Sequence, residues 1–307
     1  MEKLAYFFID DVIWVIRDIA REKPKSIFDN SFMKMLKRAH DEQGLTVQLN
    51  LFYRTDFFYG TDEFTLSEMP DTYKSEWEAN ADWLRLAFHA KQEFPDYPYV
   101  NATYEDVKHD YELIVGEIKR FAGEKSLSNV LCPHWLPISR AGCHALADCG
   151  VRIVDPTYGD RTEYTGDPNV LPYGHAARLL QNRQPETMIF TRKGNDAITA
   201  SVSGYNHIEQ SDVDRMKGKN ISLVDKETGL RFRKISGGPC LNLHTPASTL
   251  EALNELMGNE FIGCATHEQY FYSDYYAYQT DYEEKLYLMA KTLTDNGYRW
   301  ITADEIK

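Results

Sequence analysis

Short apolar runs alternate with helical patterns about eight times along this chain, and most of the runs end on an acid or a histidine. A strand must be followed by a helix, and the helix by a parallel strand, for that rhythm to bury its apolar faces. The reading is an α/β fold, a distorted (β/α) barrel. The first run, Leu4 to Ile9, ends on the adjacent carboxylates Asp10 and Asp11. Leu45–Phe52 alternates apolar and polar residues. Leu84–Phe88 ends on His89, Asn129–Cys132 runs into Pro133-His134-Trp135, Val151–Val154 ends on Asp155, Cys240–Leu243 on His244, and Phe261–Thr266 on His267. Tyr298–Thr302 is the last strand.

The helices between them carry start and stop signals. The first is expected over Val12–Glu22. Asp29-Asn30-Ser31 opens the next, and Gly44 closes it. Glu76–Trp83 is a short candidate. Thr103-x-x-Asp106 begins the clearest amphipathic helix, with Tyr104, Val107, Tyr111, Ile114, Ile118 and Phe121 on one stripe and Gly123 after it. Helices are further expected over Ser139–Cys149, Ala247–Met257 and Asp281–Asn296. Between Pro156 and Gly238 the character changes to Gly, Asn, Asp and Thr. Short β-like pieces (Met188–Thr191, Ala197–Ala200) and one helix candidate (Glu209–Lys217) lie there. Residues 156–238 read as a β-rich excursion inserted in one barrel domain spanning 1–307.

The 307 residues, 43% hydrophobic and 26% charged, suffice for one large domain with a sizeable core. A net charge of -13 argues against nucleic acid and anionic membrane as partners, since both need a basic patch. No apolar run is long enough to span a bilayer. The N-terminus enters a strand directly, without a leader pattern. Five cysteines without Cys-x-x-Cys spacing fit a reducing, cytoplasmic setting. A homo-oligomer is left open.

In a barrel of this kind the working residues stand at the C-terminal ends of strands. Adjacent side chains of a strand point to opposite faces, so Asp10 and Asp11 reach one pocket only where the strand gives way to a loop. The plain alternative is that they cap the following helix. Acids and histidines gathered on one rim suit a divalent metal beside an acid–base pair.

Those residues resemble the polysaccharide deacetylase (NodB-homology) family, whose fold is a distorted (β/α) barrel. The family opens with Thr-Phe-Asp-Asp. Phe8-Ile9-Asp10-Asp11 is similar, with Phe in place of Thr. The resemblance implies that Asp10 is the base and Asp11 a metal ligand. The family's second motif holds two histidines four residues apart. Here His89 matches and Glu93 stands in the other's place. Leu131-Cys132-Pro133-His134-Trp135 resembles the third motif, Arg-x-Pro-Trp/Tyr, without its arginine. His134 then either holds the base or replaces Glu93 as third ligand. Cys264–His267, with Gly297–Thr302 after it, resembles the last motif and implies that His267 is the proton donor. The resemblance covers 1–155 and about 240–307. It implies metal-dependent hydrolysis of an N-acetyl or related C–N bond in a carbohydrate or similar small molecule, with Zn²⁺ foremost. Trp135, Tyr270, Tyr272 and His244 are the candidates for contact with substrate. Two other readings remain: a metal-free glycoside hydrolase using Asp10 and Asp155, and a binding module that has lost catalysis.

Overall fold

β1 (Lys3–Val12) is buried over its last eight residues on both faces, as a central parallel strand must be. The computed structural model describes residues 2–55, 63–94, 98–99, 102–136, 138–155, 222–225, 227–275 and 277–306. β1 pairs in parallel with β2 (Val47–Phe52) on one side and β8 (Phe261–His267) on the other, and β2 pairs in parallel with β3 (Leu84–Ala90). β9 (Tyr298–Trp300) pairs with the first residues of β1.

A second sheet runs β4 (Val130–Leu131), β5 (Ile153–Val154), β7 (Arg231–Arg233) and β6 (Ser222–Val224), of which only the last pairing is antiparallel. Two parallel bridges join the sheets. Leu86 of β3 bridges Leu127, just before β4. Cys240 bridges Ala265 of β8, and the Gly238 N–H donates to the Gly263 carbonyl at 2.6 Å. The chain therefore runs from β7 onto β8, and the staves close on themselves as a distorted barrel. Gly238 and Gly263 permit that seam: a Cβ on Gly263 would stand 1.6 Å from the Ile235 carbonyl oxygen.

Among the described residues the helices lie close to the expected spans, except that the one expected over Glu76–Trp83 covers Lys74–Ala79 and gives way to a turn at 80–83. They are α1 (Trp14–Glu22), α2 (Ser31–Gln43), α3 (Lys74–Ala79), α4 (Tyr104–Phe121), α5 (Arg140–Asp148), α6 (Pro246–Leu256) and α7 (Tyr282–Asp295). The Thr103 hydroxyl accepts from the Asp106 N–H, and the stripe from Val107 to Phe121 is buried. Tyr104 is only partly buried, and its hydroxyl reaches out to Asp148 at 2.9 Å. Among the described residues no helix is long and apolar enough to cross a membrane. All five cysteines are free thiols.

Two expectations need correction. Leu241–Leu243 is a turn of 3₁₀ helix, not a strand, and only Cys240 bridges β8. A three-residue apolar run does not distinguish those states. α1 begins at Trp14, and neither Asp10 nor Asp11 caps it. Of the stretch 156–238, residues up to 221 lie outside the described set, including the three short elements expected there. Its last part forms β6 and β7, and β7 pairs directly with β5.

Candidate metal and acid–base site

The strand does not end at Asp10. Pairing of β1 with β2 shifts register between Ile9 and Val12, and Asp11 takes the left-handed backbone conformation, φ +61°. That bulge interrupts the alternation of faces and sends both carboxylates into the barrel mouth. A non-glycine residue there costs about 1–2 kcal/mol, a strain the surrounding structure must hold. Trp135 and Leu136, φ +63° and +72°, share the same unusual conformation beside His134.

Asp11, His89 and His134 converge, each buried, at 0%, 2% and 4% exposure. His89 Nε2 is 3.1 Å from Asp11 Oδ1. His134 Nδ1 is 3.1 Å from His89 Nε2 and 3.2 Å from Asp11 Oδ1. The outer nitrogens are already committed. His89 Nδ1 donates to the Cys132 carbonyl at 2.6 Å, and His134 Nε2 to the Glu93 carbonyl at 2.9 Å. A carbonyl only accepts, so each neutral ring turns a bare lone pair inward, toward the other and toward a carboxylate. Asp11 Oδ2 is buried and makes no hydrogen bond among the described residues; His267 Nε2 stands 4.0 Å from it. Three acceptors facing one another, with outer nitrogens fixed by backbone, have the arrangement that could hold a cation. Ligands about 2.0–2.2 Å from one ion lie roughly 3.0 Å apart in an octahedral array and 3.4 Å apart in a tetrahedral one. The observed edges fall between.

Electrostatics agree. Burial works against an ionised Asp11, but His267, His134 and His89, whenever a ring carries a proton toward it, hold its carboxyl well below the usual range. Burial also opposes charge on His89, yet Asp10 and Asp11 outweigh it and His89 lies above its ordinary value. For His134 burial wins, and its value falls.

Asp10 stands beside this triangle. Its Oδ1 accepts from Asn50 Nδ2 at 2.6 Å, and the Cys132 thiol faces its Oδ2 at 3.7 Å. Gln48 Nε2 in turn donates to Asn50 Oδ1 at 2.7 Å and to the Val130 carbonyl at 2.9 Å. Asp10 is thus held from β2, and not by His134. Alternation alone does not single out Asn50, because Gln48 and Asn50 are simply the polar residues of an alternating strand. Both are buried in the barrel, and buried amides demand partners.

His267 is the β8 residue registered with Asp10. Its Nδ1 donates to Asn242 Oδ1 at 2.9 Å, which leaves Nε2 toward Asp11. Glu268, next in sequence, accepts the N–H groups of Ile13, Trp14 and Val15 at 2.6–2.8 Å, and is the real cap of α1. Burial pushes its carboxyl up to about 7 against the pull of those three donors.

Other candidates lie elsewhere. The Glu93 carboxylate is outside the triangle: Oε1 is 4.0 Å from the outer nitrogen of His134, and Oε2 accepts from Gln269 at 3.2 Å. Tyr270 is fully buried, edge-on to Tyr275 with centroids 5.2 Å apart, so it has no face for a substrate. It sits in the 3₁₀ turn Glu268–Phe271 with its ring in the hydrophobic core. Tyr272 packs edge-on against Trp14. His244 is half-buried and contacts the Ser248 hydroxyl at 3.3 Å, away from the triangle. Trp135 lies edge-on to His134 at 5.9 Å with a rim of its surface exposed. Asp155 is buried, its charge acting on Tyr6, Cys132 and Asp10. Burial pushes its carboxyl up to about 7, against the Ser236 hydroxyl, Lys234 and the Ile235 backbone.

No protein-family model and no curated protein matches the chain. Among solved structures it is similar to the Xyl-CE4 domain of a multidomain xylanase from the hindgut metagenome of Trinervitermes trinervoides, with 11% identity, TM-score 0.43, and 99% of this chain and 89% of that one covered. It is likewise similar to a T48 deacetylase with substrate (12% identity, TM-score 0.42, 99% of this chain and 89% of that one covered). A third likeness is to the 4-alpha-glucanotransferase from Thermococcus litoralis, with 12% identity and TM-score 0.46, where 99% of this chain spans 40% of that one. Identities this low assign no side chain a role, and the chemistry rests on the geometry of Asp10, Asp11, His89, His134 and His267.

Proposed function

We propose that the protein is a metal-dependent hydrolase of a C–N bond, an N-acetyl or related amide of a carbohydrate or similar compound. The observation that carries this is the triangle of inward-facing acceptors at Asp11, His89 and His134, flanked by one carboxylate and one imidazole that do not belong to it. Asp11, His89 and His134 would hold a divalent ion, Zn²⁺ being best suited to imidazole nitrogens, which would supply polarisation of a carbonyl and acidification of water there.

The remaining residues supply what amide hydrolysis needs besides. Asp10, fixed by Asn50, takes the proton of the attacking water. His267, on the strand hydrogen-bonded to β1, gives a proton to the departing nitrogen, which leaves poorly without one. Asn242 holds the His267 Nδ1 proton, so exchange with substrate runs through Nε2. The buried walls around Phe52, which packs on both ligand rings with centroids 5.0–5.3 Å away, exclude water and strengthen these interactions.

The test is turnover of N-acetylated mono- and oligosaccharides by Zn²⁺-loaded protein, with Asp10→Asn and His267→Ala beside it. Both variants should keep fold and metal and lose about 10²–10⁴-fold in rate. Wild-type rates in His267→Ala would remove it from the mechanism.

A further inference from the structure

Three consecutive residues after β8 reach three different parts of the site. His267 faces Asp11, Glu268 caps α1, and Gln269 donates to Glu93, whose carbonyl orients His134. Glu268 is the central one. It is fully buried, and its two oxygens take the first three N–H groups at the head of α1, 253 to 255 residues earlier in sequence. Those donors are orphans in any helix. Here the residue at the cap position, Ile13, has no side chain to serve them.

The position of that anchor matters because α1 begins only three residues after Asp11. On the other side of the bulge, Asp10 is tied to His267 through the β1–β8 ladder. Asp11 is therefore stretched between two fixed points, both supplied by the same short segment, 267–268. It holds a left-handed conformation that is uncommon for any residue with a side chain. Three short backbone hydrogen bonds onto one buried carboxyl are a strong tether.

We infer that Glu268 is a positioning residue: by anchoring Ile13, Trp14 and Val15 it holds the Asp11 bulge, and with it the carboxylate corner of the ligand triangle. This rests on reading Asp11, His89 and His134 as a metal site. Glutamine in its place keeps the volume but loses the charge and one acceptor, and turns an amide N–H₂ toward a backbone N–H. Aspartate keeps the charge but is too short to span Ile13 and Val15 together.

The experiment measures Zn²⁺ affinity by competition with a chelating dye, and the visible absorption of Co²⁺-loaded protein, for wild type, Glu268→Gln and Glu268→Asp. Circular dichroism fixes a temperature at which each is folded. Expected in Glu268→Gln is a loss of about 10- to 100-fold in affinity, with a changed Co²⁺ spectrum, the range that displaced outer partners of ligands produce. Glu268→Asp should fall between, and it carries the test if the glutamine variant does not fold. A residue that merely caps the helix would lower the unfolding temperature and leave affinity and spectrum as in wild type. That result in the folded variants would overturn the inference alone. A wild type that binds neither ion would overturn the metal reading and this inference with it.

Discussion

His134 Nδ1 faces His89 Nε2 at 3.1 Å, nitrogen to nitrogen, while the far nitrogen of each ring is bonded to a backbone carbonyl. Two such lone pairs repel unless a proton or a cation lies between them. Asp10 and Asp11 favour charge on His89 against the opposition of burial, and burial disfavours it on His134, so His89 is the ring that binds an extra proton more readily.

It follows that metal and proton compete. His89 titrates above its ordinary value, so below that point the ion must displace its proton. Zn²⁺ affinity should rise with pH while His89 still holds its proton and level off once that proton is lost. Calorimetric titration in buffers of different ionisation enthalpy should report proton release on binding on the acid side. Uptake of protons, or affinity independent of pH from 5 to 8, would contradict the arrangement.

Asn50 makes a second expectation. It is fully buried and is the amide that fixes Asp10. Asn50→Leu removes the donor and leaves Gln48 without its partner, at a cost of about 1–3 kcal/mol in stability. Asn50→Ser keeps a donor but is too short to reach Asp10. In both, metal content should stay at the wild-type level while kcat falls by about tenfold or more and KM changes little. A parallel loss of metal would move Asn50 from the base to the ligand set.

The barrel, the order of its helices and most of their caps are legible from alternation and from Gly44, Thr103 and Gly123, because those signals are local. So is the clustering of acids and histidines at strand ends. The choice between Glu93 and His134 is not local. Spacing from His89 favours Glu93 on an ideal motif, but the turn at Trp135 and Leu136 swings His134 inward and leaves only the Glu93 carbonyl in contact. Asn50, Asn242 and Glu268 were illegible for the same reason: each acts on a residue 25 or more positions away.

Asp155 gives a pH-dependence of stability. Its folded value of about 7 lies above the ordinary carboxyl value of 3.8. Between those values the folded protein keeps a proton that the unfolded chain has released, so this group's contribution is full at low pH and is lost as pH rises to about 7. By linkage, that amounts to about 2–3 kcal/mol between pH 5 and pH 8. Urea unfolding of metal-free wild type and Asp155→Asn at the two pH values should show the variant gaining on wild type at pH 8. Equal pH-dependence in both would place the folded value of Asp155 near its ordinary one.

The account stands on one cation held by Asp11, His89 and His134. Elemental analysis of chelator-stripped protein, reloaded with Zn²⁺ and desalted, measures it directly in wild type, His89→Ala, His134→Ala and Glu93→Gln. The account predicts close to one equivalent in wild type, little in either histidine variant, and nearly the wild-type content in Glu93→Gln. No metal in wild type, or a full equivalent in His134→Ala with loss in Glu93→Gln, would contradict it.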